Sequence, residues 1–169
     1  MKEITFSVRH KDIVDRIKLY THYTGEARRN AGLPDKQAAA MQASADDATQ
    51  MGDHIENALD EVGTILSRYF AQFLAGQNGE DGSEENKEYT FTIAAPELFP
   101  STATANVEKS IENFVVRRTL QHWFVQHRPE EAALQAAEAQ TAMAHLRELL
   151  TLRSRPRIKC INSNSNINL

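Results

Sequence analysis

The 169 residues include only one cysteine, Cys160. That excludes an internal disulfide and any zinc site built on a cysteine pair. Basic residues are not in excess: 19 Lys and Arg stand against 23 Asp and Glu, a formal net charge of -4. This argues against a protein whose affinity for nucleic acid comes from broad phosphate contact, although it leaves room for a local basic patch. There is no apolar run near the twenty or so residues that a membrane helix needs, so no membrane partner is expected. The N-terminal MKEITFSVRHKD is charged throughout and has no apolar core of a signal peptide, which predicts a soluble protein made in the cytoplasm. Internal repeats, a Walker loop, a dinucleotide fingerprint, a His-Glu-x-x-His motif and a nucleophile elbow are all missing.

What the chain does have is helical periodicity. From Met41 to Leu74 apolar residues recur at Met41, Ala45, Ala48, Met51, Ile55, Ala58, Val62, Leu66, Tyr69 and Phe73. Each step is three or four residues, so all ten fall on one helical stripe opposite Asp46, Asp47, Asp53, Glu56, Asp60 and Arg68. A long helix over 35–74 follows, started by Asp35 after the Ala31-Gly32-Leu33-Pro34 stop. A second long helix is predicted over 105–127, where Val107, Ile111, Phe114, Val115, Val116, Leu120, Trp123 and Phe124 spread over more than one face and imply a central position. Pro129, Glu130 and Glu131 open a third over 130–152, with Ala132, Ala136, Ala139, Met143, Leu146 and Leu150 on its stripe.

Two stretches alternate with period two. Ile4, Phe6 and Val8 form one strand, and Tyr89, Phe91 and Ile93 form another over 88–94. They can pair with each other or between subunits. Between the first strand and residue 34 the period is helical, through Ile13, Ile17 and Tyr20, with Asp12 as a cap; Gly25 weakens the middle of the segment, which leaves open two short helices in place of one. The expected fold class is therefore mainly α: a helical bundle of three long helices plus short N-terminal helices, with a small two-stranded β element. Residues 1–152 make one helical domain. An acidic, flexible loop at 75–86 carries Glu80, Asp81, Glu84 and Glu85, and 153–169 is a basic and then disordered tail.

Chemistry is hard to find in this pattern. His122 and His127 are five apart and point to different sides of a helix, and His54 has no second ligand four residues away. No Glu-x-x-His pair of the di-iron bundle kind occurs. The expectation is no catalytic residue, no metal and no cofactor. The charge features point instead to contact with partners. Arg117 and Arg118 stand side by side on the central helix, and Arg153, Arg155, Arg157 and Lys159 make a basic arm broken by Pro156. Such an arm suits an acidic partner or a DNA backbone, weakly from one copy and additively from many.

The order of elements carries a resemblance. An aromatic-rich helix end, Leu66-Ser67-Arg68-Tyr69-Phe70, is followed by an irregular excursion with a strand. A helix with aromatics and a charged break comes next, Leu120-Gln121-His122-Trp123-Phe124-Val125-Gln126-His127-Arg128-Pro129-Glu130, and the last helix closes on Leu149-Leu150-Thr151-Leu152-Arg153. From about Asp35 to Arg153 this resembles the small helical head–tail connector (adaptor) proteins of tailed bacteriophages and prophages. Met1 to Asn30 is additional, and the Pro-Tyr that commonly precedes the closing Arg is missing. The resemblance implies a non-enzymatic virion neck subunit, a homo-oligomeric ring that joins portal to tail proteins. Two other classes stay open. One is a cytoplasmic helical interaction or regulatory protein; the other is a small helical-bundle enzyme with a cleft near His122, His127 and Arg118.

Overall fold

The fold was analysed in a computed structural model, which describes residues 2–44, 47–68, 72–77, 87–95, 97 and 99–151. The alternation at the N-terminus forms strand β1 (Lys2–Arg9), which runs without a break into helix α1 (His10–Asn30). No side chain caps α1 at Arg9, and Asp12 lies in the first turn, where its charge complements the helix dipole. The helix is continuous through Gly25, one helix and not the two short ones that the sequence left open. A Cβ at Gly25 would stand 2.8 Å from Gln42 Cγ and 2.9 Å from the Ala38 carbonyl oxygen, so this glycine serves close packing, not a helix break. α1 ends as expected. Gly32 takes φ +92°, its N–H bonds to the Arg29 carbonyl, and the Leu33 N–H reaches Arg28, the paired bonds of a Schellman stop.

The single helix expected over 35–74 is in fact three elements. Helix α2 covers only Asp35–Ala39, helix α3 runs Ala48–Ser67, and strand β2 covers Gln72–Gln77. The break after α2 has identifiable causes. The Ser44 N–H and hydroxyl both bond Asp47 Oδ2, at 2.9 and 2.7 Å, a local side-chain alternative to helical bonding. Thr21 Oγ1 accepts from the Ala43 N–H at 3.2 Å, and the Trp123 indole N–H donates to the Met41 carbonyl at 3.0 Å. Backbone groups that a continuous helix would pair internally are thus satisfied by α1 and by the central helix. Within α3 the stripe residues Met51, Ile55, Ala58, Val62 and Leu66 are buried, as is Leu59 beside them, whereas Ala48 at the start of the helix is exposed. In its last turn Thr64 and Ser67 return hydroxyl bonds to Asp60 and Thr64 carbonyls.

β2 exists because strand β3 (Glu88–Ala95) has two edges to satisfy. β1 covers one, antiparallel, with Ile4 opposite Ile93, Phe6 opposite Phe91 and Val8 opposite Tyr89. β2 covers the other, with Phe73 opposite Phe91 and a register shift between Leu74 and Gln77. Among the described residues the sheet therefore has three strands in the order β1-β3-β2, one more than the two expected, and β1 pairs with β3 inside one chain. Ile4, Phe6, Val8, Tyr89, Phe91 and Ile93 are buried on one face, while Glu3, Thr5 and Ser7 are exposed on the other.

Helix α4 (Thr104–His127) follows a short 3-10 turn at Ser101–Ala103, and helix α5 (Pro129–Thr151) folds back along it. α4 is central, as its wide apolar arc implied. It packs against α5, α3, α1 and β1, burying Val107, Ile111, Val115, Val116, Leu120 and Phe124. Small residues let α5 approach closely: Ser110 Oγ lies 3.4 Å from the Ala142 carbonyl, and Ala132 and Ala139 are buried. The architecture is mainly α with a small β element. No helix among the described residues is long and apolar enough to cross a membrane. The acidic loop residues Glu80, Asp81, Glu84 and Glu85 lie outside the described residues, as do Arg153, Arg155, Arg157 and Lys159 of the basic arm.

Candidate functional site

The polar side chains that meet inside the molecule do so where helices α1, α3 and α5 contact α4. On one side of α4, Arg117 is held by two neighbouring helices, α1 and α5. Its Nη1 donates to Gln135 Oε1 on α5 at 2.9 Å, and its Nη2 donates to the Tyr20 hydroxyl on α1 at 3.0 Å. The guanidinium also stacks over the Tyr20 ring, 4.5 Å from its centroid, with Glu138 at 3.9 Å. Two further pairs tie α1 down nearby: Arg16 to Glu112 at 2.6 Å, and Arg28 to Glu131.

On the other side of α4, Arg118 donates from Nε and Nη2 to the same oxygen of Glu61 on α3, at 2.9 and 2.8 Å, and from Nη1 to Gln121 at 2.8 Å. One turn further along, His122 stacks on His54 of α3, with centroids 5.4 Å apart and planes 14° from parallel. Burial pushes the His122 pKa below its ordinary value near 6.5; Arg118 and then His54 push it further down, and Glu61 opposes them. The His54 Nε2 atom is buried and has no hydrogen-bond partner among the described residues. Beside Arg118 a cleft of about 390 Å³ opens between α4 and α5, bordered by Glu61, Gln121, Gln140 and Arg147.

Both arginines that the sequence suggested for a partner surface are thus engaged within the chain. The reason is complementarity across helix flanks: each guanidinium can reach a carboxylate or amide on the neighbouring helix without crossing the apolar seam. Histidine spacing along single helices was the wrong place to look for contact, since His54 and His122 meet only through packing of α3 on α4. Glu61 was missed for the same reason. The one available signal was its position beside Val62 on the flank of the α3 stripe, facing the side of α4 that carries Arg118.

The arrangement can orient helices but offers little acid–base or metal chemistry. The carboxylate of Glu61 is committed to a guanidinium, and the imidazole rings are stacked rather than convergent on a common point. Among the described residues no three His, Cys, Asp or Glu side chains come together as a metal site. Comparison of the chain with protein-family models, with curated proteins and with solved structures finds no match.

Proposed function

We propose that the protein is a non-enzymatic structural subunit of a tailed-phage or prophage particle, a head–tail connector that forms a ring between portal and tail. The reading rests on the resemblance in element order between Asp35 and Arg153. One structural observation supports the non-enzymatic part: the charged groups at the helix contacts, Arg16, Arg28, Arg117 and Arg118, are each paired to acceptors on other helices. Such groups fix helix orientation, which suits a subunit that bears load through its bundle. In this reading the arm at Arg153, Arg155, Arg157 and Lys159 docks on an acidic portal or tail surface or on the DNA backbone.

Mass spectrometry and electron microscopy of purified particles test the proposal. The protein should be present at the neck in ring stoichiometry, and a chain ended after Leu152 should melt like the full chain but fail to incorporate. Absence from every particle overturns the connector reading, and normal incorporation of the shortened chain overturns the role of the arm.

A second reading has one observation in its favour. The cleft beside Arg118, with Glu61, Gln121, Gln140 and Arg147 on its border, is large enough for a small polar ligand. Under an enzymatic or ligand-binding role, filling that cleft by Ala136→Phe would abolish activity or binding. Under the connector role it would leave incorporation intact.

A further inference from the structure

The outer edge of β1 is eight residues long, carries no proline and has no irregularity in its pairing with β3. Sheet edges are commonly blunted by such devices, because an unpaired row of N–H and C=O groups is a template for another strand. The direction of these groups follows from two bonds. The His10 N–H points toward β3, reaching the Lys87 carbonyl at 2.9 Å, whereas the Ser7 N–H points outward to Glu108 Oε1 at 3.2 Å. The odd-numbered residues Glu3, Thr5, Ser7 and Arg9 therefore aim their amides at the open side, and their exposed side chains share one face.

That edge is complementary to itself. Turned antiparallel about a two-fold axis at Phe6, it sets Thr5 against Ser7 of a second copy, and Ser7 against Thr5. Both are outward-facing positions, so they form hydrogen-bonded pairs that exchange N–H···O bonds in both directions. The same register places Glu3 opposite Arg9 at both ends. Neither of these two stands in an ion pair among the described residues. A shift by two residues in either direction loses both charge pairs, and a shift by one turns the pleat out of phase.

We propose that β1 pairs antiparallel with β1 of a second copy of this chain, joining two three-stranded sheets into one of six strands. The Glu108 side chain that covers the Ser7 N–H is half-buried beside the cleft between β1 and α4, and it must turn away to solvent when the partner strand takes its place. A two-fold contact of this kind closes on two chains, so it is distinct from any ring-forming surface and does not rest on the connector reading.

Sedimentation velocity of the full chain over a range of concentrations is the test, run beside Arg9→Glu, Thr5→Pro and the charge swap Glu3→Arg with Arg9→Glu. The expected result is a concentration-dependent dimer. Arg9→Glu replaces two attractive pairs with two repulsive ones and should raise the dissociation constant at least about tenfold. The swap restores opposite charges at both ends and should bring it back. Thr5→Pro removes an outward N–H without touching the backbone bonds to β3, losing toward β3 only the exposed hydroxyl contact with Thr92 at 3.3 Å, and should abolish the dimer. Circular dichroism confirms that each variant is folded. A monomer at every concentration overturns the proposal. So does a dimer indifferent to these changes, or one lost in Arg9→Glu and not recovered by the swap.

Discussion

Along α4 and α5 the contact is an apolar seam in which Leu120, Phe124, Ala139 and Leu146 are shut away from water over most of the length of both helices. Between α2 and α3, at residues 40–44 and 47, the chain is instead pinned by separate polar bonds: Trp123 on Met41, Thr21 on Ala43, and Asp47 on Ser44. The first region draws its stability from area and close packing, and the second from bonds that must each be made in place. A seam of this kind loses energy in proportion to the atoms removed. A pinned junction is sensitive to geometry at a few points, and tolerant elsewhere.

The largest effect is expected in the seam. Leu146→Ala empties a fully buried position and should cost about 2–5 kcal/mol in denaturant unfolding. A loss below about 1 kcal/mol would mean that the Ala-rich α5 collapses onto α4, and that the seam is softer than its burial implies.

At the junction, Gly25→Ala separates the two kinds of restraint. Alanine gains about 1 kcal/mol over glycine in a helix interior. The new methyl group, however, meets Gln42 and the Ala38 carbonyl oxygen inside 3 Å, and overpacking of this kind costs about 1–3 kcal/mol. The side chain of Gln42 can move, but the α2 backbone moves only if the junction does. A net destabilisation of about 1–2 kcal/mol is therefore expected in urea unfolding. A stabilised variant would show that α2 is free to shift.

The smallest effect is read by pH at the α3–α4 contact. The folded protein holds His122 neutral where the unfolded chain, with its pKa near 6.5, would take a proton. Its contribution is fully present above that value and is lost as pH falls through the lower, folded value. Melting temperature should decline on acidification from pH 7, and His122→Gln should flatten the decline. An unchanged slope in that variant would assign the acid sensitivity to other groups.

The α4–α5 pair could be read from sequence nearly to the residue, because its stripes, Pro129 and the glutamates after it all agree. The segment 35–74 could not. Its apolar residues keep helical spacing across the break, so periodicity alone has no way to register it. The causes of that break, Thr21 and Trp123, lie on other elements and become partners only in the folded chain. β2 was hidden similarly, since residues 72–77 form a strand in answer to an open edge on β3. At the candidate site, Arg118 could be picked out as a charged flank residue, but its engagement with Glu61, and the stacking of His54 on His122, depend on how α3 lies against α4.

Trp123 is the chain's only tryptophan, and its indole N–H is bonded to the carbonyl of Met41 at the pinned junction. The molecule thus carries its single indole, which can be excited apart from the four tyrosines, at the boundary between its two kinds of restraint. Its ring is shut away with the α4 core, while its one polar atom reads the position of a backbone that other bonds hold. Emission should respond to opening at residues 40–44 before far-ultraviolet dichroism reports loss of helix. Recorded together in one titration, the two signals would separate local release of the junction from unfolding of the bundle.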